Sequence, residues 1–115
     1  MARSSINITM ATSYIYVIGS DDPPYKVGIS KDPQRRLKNL QTGHPQKLRI
    51  YGLKETDVSK TKLLESAIHY HLKLHRTHGE WFNMDLKNIM LEVEYALMRY
   101  EDDPSLRTRV RDKWF

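Results

Sequence analysis

The chain has 115 residues, of which 39% are hydrophobic and 29% are charged, and this composition predicts one globular domain. It contains no cysteine, which excludes disulfide bonds, thiolate metal sites and cysteine nucleophiles, and no apolar run approaches the roughly 20 residues that span a bilayer. The formal net charge of +5 indicates an anionic partner. The N-terminus lacks the apolar stretch of a secretion signal, so we expect a cytoplasmic protein without a membrane partner.

The first predicted elements are the two strands of a hairpin. Residues 1–12 are polar and show no periodicity, which predicts a flexible leader. The runs 13–18 and 25–30 are rich in β-branched and aromatic residues. The segment between them, 19–24, consists of glycine, serine, aspartate and proline, which favours a turn and therefore an antiparallel pairing of the two strands.

A helix with a basic surface follows the hairpin. Asp32 is a candidate N-cap, and the proline after it suits the first helical position. The Thr-Gly-His-Pro sequence at 42–45 ends the helix at about Gln41. Leu37 and Leu40, three residues apart, give this helix an apolar face.

One strand and a long helix come next. Residues 48–53 alternate between apolar and polar side chains, which predicts a third strand. Asp57 or Ser59 can cap a helix over residues 58–75. The predicted core stripe of that helix is Leu64, Ala67, Ile68, His71 or Leu72, and His75.

In the last third of the chain we expect a loop, a helix and a tail. Residues 76–83 predict a loop in which Trp81 and Phe82 are core anchors rather than base-stacking platforms. Asp85 begins a final helix, and 101–115 predict a basic tail. The apolar stripe of the final helix is Leu86, Ile89, Met90, Val93, Ala96 and Leu97.

The predicted order β-β-α-β-α-α is typical of an α+β fold. We expect a small three-stranded antiparallel sheet flanked by helices, in a single domain over residues 13–100. This arrangement has no internal repeat and no low-complexity segment.

An ordered series of short motifs runs through these elements. It consists of Tyr14-Ile15-Tyr16, Lys26-Val27-Gly28, Lys31-Asp32-Pro33-Gln34-Arg35-Arg36-Leu37, Gln41-Thr42-Gly43-His44-Pro45, Glu65-Ser66-Ala67-Ile68-His69 and Gly79-Glu80-Trp81-Phe82. On this series the chain resembles the GIY-YIG nuclease superfamily, in particular its small stand-alone phage and bacterial members. The resemblance implies a divalent-metal-dependent endonuclease that hydrolyses phosphodiester bonds of DNA in a bacterial or phage-infected cell, as a monomer or weak homo-oligomer.

The resemblance also implies catalytic roles for four residues. Tyr16 corresponds to the tyrosine beside the attacked phosphate, as general base or as the group that orients the water nucleophile. Arg36 corresponds to the arginine that contacts the scissile phosphate, a role that suits its planar fork. Glu65 corresponds to the glutamate that binds the metal, Mg²⁺ or alternatively Mn²⁺. Asn83 is the candidate for the family's late asparagine.

Two positions depart from the family pattern. Lys26 replaces the usual second tyrosine, and an ammonium beside Tyr16 would lower the pKa of its phenol and attract phosphate. The alternative is an exposed lysine that protects a sheet edge. Leu40 stands where many relatives carry a histidine or tyrosine, and Gln41 or His44 are candidate substitutes.

Several further polar residues are predicted to contact nucleic acid. Glu65 lies one helical turn before one of them, His69, so the two can share a face; the simpler alternative is an exposed helix glutamate paired with His69 or Lys62. The predicted nucleic-acid-binding residues are Lys31, Arg35, Lys38, Gln41, His44 and His69.

The two departures leave other functions open. A nucleic-acid-binding or assembly module could keep this fold and lack efficient cleavage. A protein-interaction domain with a coincidental motif is a third alternative.

Overall fold

A computed structural model describes residues 12–100, and it confirms the α+β class. The elements are strands β1 (Thr12–Gly19) and β2 (Tyr25–Ser30), helix α1 (Pro33–Gln41), strand β3 (Arg49–Asp57), helix α2 (Val58–Leu72), a 3₁₀ turn (Lys73–His75), strands β4 (Arg76–His78) and β5 (Trp81–Phe82), and helix α3 (Leu86–Tyr100). The predicted leader, apart from Thr12, and the predicted tail lie outside the described residues.

The sheet has five strands in the order β3-β1-β2-β5-β4, and all its pairings are antiparallel. The prediction of three strands was therefore wrong. The predicted loop 76–83 is a hairpin in which His78 pairs with Trp81 around Gly79 and Glu80. Gly79 has φ +54°, and glycine is favoured at such a position of a two-residue hairpin turn. Strands of three and two residues are too short to display an alternating pattern.

The two faces of the sheet are covered by different helices. Side chains alternate between the faces along a strand, so Ile15 and Val17 of β1 point to the face that packs against α2 and α3. Tyr16 and Ile18 point to the other face, where they pack with Leu37 of α1 and other apolar side chains. The larger core therefore lies on the α2–α3 side, and the smaller one lies under α1.

The predicted helix caps are present. Asp32 accepts a hydrogen bond from the Arg35 N–H (3.1 Å), and Asp57, rather than Ser59, caps α2 through the Ser59 N–H (3.0 Å). Asp85 accepts from the Asn88 N–H at the start of α3 (2.9 Å). These contacts satisfy N–H groups that have no partner inside the helix.

The predicted core stripes are confirmed except at the end of α2. Leu72, rather than His71, is buried, whereas His75 is exposed because the α-helix ends before it and a 3₁₀ turn follows. The entire predicted stripe of α3 belongs to the larger core. None of the helices between residues 12 and 100 is long and apolar enough to cross a bilayer.

Ile68 tests the contribution of the larger core. It is 0% exposed, so Ile68→Ala should lower the free energy of unfolding by about 2–5 kcal/mol through lost burial and a residual cavity. The matched control is Leu74→Ala, since Leu74 is 88% exposed and its truncation should change stability by no more than about 0.5 kcal/mol. Urea denaturation followed by circular dichroism measures both values. Equal losses in the two variants would contradict the described packing.

Candidate active site

Three of the candidate catalytic side chains, Tyr16, Lys26 and Arg36, lie on the sheet face that α1 covers. Tyr16 lies directly opposite Gly28 in the β1–β2 ladder, and the neighbouring pair on the same face is Ile18 and Lys26. Tyr16 and Lys26 therefore stand on the same side of the sheet. Gly28, which carries no side chain, lies between them.

Gly28 makes room for this cluster. A Cβ atom at Gly28 would lie 2.5 Å from Tyr16 Oη, closer than real Cβ atoms come to a neighbour, and 3.0 Å from Glu80 Oε1, which is a tight contact. The phenol of Tyr16 and the carboxylate of Glu80 thus share the space above the β2 backbone. A larger residue at position 28 would push them apart.

Arg36 is the cation that contacts Tyr16. Its Nε donates a hydrogen bond to Tyr16 Oη (3.3 Å) from the first turn of α1. Tyr16 is 1% exposed, and burial raises the pKa of its phenol, although Arg36 opposes this rise. The expectation that Lys26 lowers the pKa of Tyr16 is therefore wrong. The phenol is protonated at neutral pH, and its neighbouring cation is Arg36.

Lys26 forms an ion pair with Glu80 instead. Its Nζ lies 3.1 Å from Glu80 Oε1. Lys26 is buried, and β2 lies between β1 and β5, so the alternative of an exposed edge lysine is also wrong. The N–H of Val27 donates to the Glu80 carbonyl (3.0 Å), which fixes the β4–β5 turn against β2.

Glu65 approaches Glu80 from α2. On β2, only Tyr25 and Lys26 pair with β5, so within residues 12–100 no strand covers the outer edge of β2 beyond that pair. Ligand atoms of Glu65, Glu80 and His69 lie within 4.8 Å of one another at this edge. The alternative of an exposed helix glutamate is wrong, because the side chain of Glu65 is only 12% exposed.

Burial and like charge shape the chemistry of Glu65. Desolvation, followed by the charge of Glu80 and a hydrogen bond with it, raises the pKa of Glu65 to about 7. The Oε2 atom of Glu65 is buried and has no hydrogen-bond partner. An unpaired buried carboxylate oxygen beside a second carboxylate is the donor set that a hard divalent cation such as Mg²⁺ or Mn²⁺ prefers. The residues at this position therefore fit such an ion.

His69 supports β2 from beneath. Its Nε2 lies 2.7 Å from the Val27 carbonyl and 4.0 Å from Glu65 Oε2, which confirms that Glu65 and His69 share a helix face. Burial lowers the pKa of His69, so its ring is neutral and Nε2–H can donate to the carbonyl. His69 is 5% exposed, and the expectation that it lies on the nucleic-acid-binding surface is therefore wrong.

The other predicted residues on and around α1 either pack at the end of that helix or are exposed on its surface. Gln41 uses its side-chain amide to hold the loop after α1, donating to the Gln46 carbonyl (2.9 Å) and accepting from the Leu48 N–H (2.8 Å). Leu40 packs in the smaller core. The exposed basic side chains around α1, at positions from which they can contact a polyanion, are Lys31, Arg35 and Lys38.

Within the described residues, Asn83 and His44 form no hydrogen bond with the Tyr16 phenol. Asn83 is exposed, its backbone N–H donates to the His75 carbonyl (2.7 Å), and its side chain makes no hydrogen bond within the described part of the chain. His44 stacks near Trp81, with ring centroids 5.9 Å apart. Gln41 and His44, the candidate substitutes for the group that Leu40 lacks, both bond within the loop after α1 instead, and the role of Asn83 stays a prediction.

Glu80 is the site residue that sequence reasoning missed. In the sequence it stands only within the motif Gly79-Glu80-Trp81-Phe82, which by itself indicates no role for its carboxylate. The signal that could have found it is the Gly79-Glu80 pair itself, because a glycine-first two-residue turn between short aromatic or polar runs favours a hairpin.

Comparison with known proteins identifies the family. Residues 13–95 match the T5orf172 domain, so the chain belongs to the T5orf172 domain family. It is 31% identical over 87 residues to protein 315L of Invertebrate iridescent virus 6, which is named for a KilA-N domain. That match covers 70% of this chain and 38% of the viral protein. No solved structure matches. The chain thus spans well under half of the length of that relative, and the GIY-YIG identity stays a prediction.

The raised pKa of Glu65 makes a prediction about stability. The folded protein binds more protons than the unfolded chain between about pH 4.5 and 7, so stability should fall as pH rises through this window. Glu65→Gln cannot ionise and should be more stable than wild type at pH 8, by on the order of 2 kcal/mol after allowance for solvent screening.

Urea denaturation in a chelator between pH 5 and pH 8 measures this difference. It should shrink toward pH 5, where Glu65 is protonated in wild type. The titration of His69 is common to both proteins and cancels in the comparison. A Glu65→Gln protein that is less stable than wild type at pH 8 would show that Glu65 is not a desolvated carboxylate.

Proposed function

We propose that this T5orf172-family chain is a GIY-YIG-type endonuclease that hydrolyses phosphodiester bonds of DNA with a divalent metal. The observation that carries the proposal is the buried, unpartnered Glu65 oxygen next to Glu80, which shares the space above Gly28 with Tyr16. A carboxylate pair, a phenol and a guanidinium are thereby gathered at one edge of the sheet. The net charge of +5 favours a polyanionic substrate.

Arg36 is suited to hold the scissile phosphate. Its hydrogen bond to Tyr16 engages Nε, which leaves the terminal guanidinium nitrogens for phosphoryl oxygens. The same bond raises the pKa of Arg36, so the side chain stays charged. A fixed cation at this point would stabilise the negative charge that grows on the phosphoryl oxygens during attack.

Tyr16 acts here as a protonated phenol. Because burial raises its pKa, a phenolate is not formed in the resting site. Its oxygen accepts from Arg36, and its own O–H can donate to a phosphoryl oxygen or to the attacking water. This favours the role of an orienting group over that of a general base.

Glu65 and Glu80 would hold the metal ion. When bound, the ion supplies positive charge at the phosphate and lowers the pKa of a water molecule. Glu65, with a pKa of about 7, is ionised in a large fraction of molecules at slightly alkaline pH. Lys26 holds Glu80 in place and offsets part of the negative charge at the site.

Cleavage of plasmid and single-stranded DNA tests the proposed function. Wild type should nick in Mg²⁺ or Mn²⁺ and not in a chelator, whereas Glu65→Gln should bind DNA without nicking it, because the metal-holding carboxylate is lost. Gel analysis of the plasmid and a binding titration measure the two properties. If wild type does not nick in either metal but retains salt-sensitive binding, the chain is a non-cleaving DNA-binding module.

Arg36 and Arg35 form a matched pair for separating catalysis from binding. Arg36→Ala should lower the single-turnover cleavage rate roughly 100-fold or more, because it removes charge stabilisation in the transition state. Arg35→Ala removes an exposed neighbouring charge and should weaken DNA binding with little change in that rate. Equal losses of rate and affinity in Arg36→Ala would make Arg36 a docking residue only.

A further inference from the structure

A second feature of the same face is a cleft of about 180 Å³, called here the aromatic cleft. It lies next to the candidate active site, since Lys26 Nζ is 5.8 Å from the centroid of the Trp81 ring. Its lining residues are Ser20, Pro24, His44, Gln46, His78 and Trp81.

The fold builds this cleft from three separate segments. Lys26, Trp81 and His78 are cross-strand partners on β2, β5 and β4, which places them in one row across the sheet. The β1–β2 turn borders the cleft with Ser20, and the loop after α1 borders it with His44. The row therefore runs from the Glu80 ion pair directly into the cleft.

The rings that line the cleft are close to parallel. The His44 ring is inclined by 22° to the Trp81 ring, and the His78 ring by 20°, with centroids 5.9 Å and 6.5 Å from that of Trp81. Hydrogen bonds orient both histidines: His44 Nδ1 lies 3.2 Å from the Gln46 N–H nitrogen, and His78 Nδ1 lies 3.3 Å from Thr77 Oγ1. Such fixed rings lose little freedom when a flat ligand binds.

The chemistry of the cleft selects the kind of ligand. Near-parallel aromatic rings suit a flat π-system, and base stacking on aromatic side chains is the usual way in which proteins hold an unpaired nucleotide. Ser20 and Gln46 supply polar groups that can reach the edge of a base. The adjoining Lys26 and the net positive charge favour a ligand joined to phosphates over an aromatic peptide side chain.

We propose that the aromatic cleft holds one unpaired base of the bound DNA strand, next to the phosphate that Arg36 contacts. This inference rests on the DNA-binding part of the proposed function and adds a nucleotide subsite to it. Trp81 then has two roles, because its ring packs against the smaller core and also lines the cleft, whereas Phe82 is a fully buried anchor. A base in a duplex has to leave the stack to enter, so unpaired or distorted DNA should bind best.

The test compares two oligonucleotides of equal length and charge, one of thymidines and one whose central residues are abasic. Fluorescence anisotropy in a chelator measures both affinities without cleavage. Wild type should bind the intact strand roughly five- to a hundredfold more tightly than the abasic strand, as expected for a stacked base. His44→Ala and His78→Ala should each bring the ratio of the two affinities, intact strand over abasic strand, toward one.

His75→Ala is the matched control, because His75 is exposed and does not line the cleft. It should keep the wild-type ratio. Trp81→Phe should retain most of the preference for the intact strand over the abasic strand, and Trp81→Leu should lose it. Circular dichroism confirms that each variant is folded. In a Trp114→Phe background, stacking should also quench the fluorescence of Trp81 only with the intact strand.

The outcomes separate this subsite from the nuclease proposal. Equal binding of both strands by wild type would overturn the subsite and leave cleavage to be judged by nicking. A ratio that survives in the Trp81→Leu, His44→Ala and His78→Ala variants would place the base elsewhere and overturn it as well. Base-dependent binding by a wild-type protein that never nicks would support the subsite and remove the nuclease function. Absence of binding to either strand would overturn the subsite.

Discussion

The approach of Tyr16 and Glu80 to the bare backbone of Gly28 is the constraint on which the rest of the site depends. It requires β2 to lie between β1, which carries Tyr16, and the β4–β5 hairpin, which carries Glu80. It also requires the hairpin to be short, because a longer β5 would cover the edge where Glu65 reaches Glu80. The site is thus a consequence of where the sheet stops.

Burial of charge at this edge has to be offset elsewhere in the molecule. Glu65 is largely shielded from water with one oxygen unpaired, an arrangement that costs free energy. The larger core, with Ile68, Ile89 and Val93 fully or almost fully buried, contributes the apolar burial that offsets this cost. Helix α2 therefore serves both purposes, since it contributes Ile68 to the larger core and Glu65 to the candidate site.

The sequence predicts the long elements well, and it fails where an element is short or where a contact is distant in the chain. The strands at 13–18 and 25–30 and the stripes of α2 and α3 carry enough positions for a period to show. The strands Arg76–His78 and Trp81–Phe82 have too few positions for a period to show, so the sequence predicts only three strands. Within the site, Tyr16 and Arg36 meet as the motif order implies, but the partner of Lys26 lies on a hairpin whose only local signal is the Gly79-Glu80 turn.

The ion pair with Glu80 gives a physical reason for the lysine at position 26, where the GIY-YIG pattern has a tyrosine. A tyrosine at this position would carry no charge at neutral pH, so the Glu65–Glu80 pair would lose a neighbouring cation. The lysine supplies that cation, and its Nζ also lies over the Trp81 ring at the border of the aromatic cleft. One ammonium group therefore contacts both the carboxylate that would hold the metal and the ring that would hold a base. Since both contacts fix the same side chain, a phosphate beside Lys26 and a base on Trp81 would be held at a set spacing.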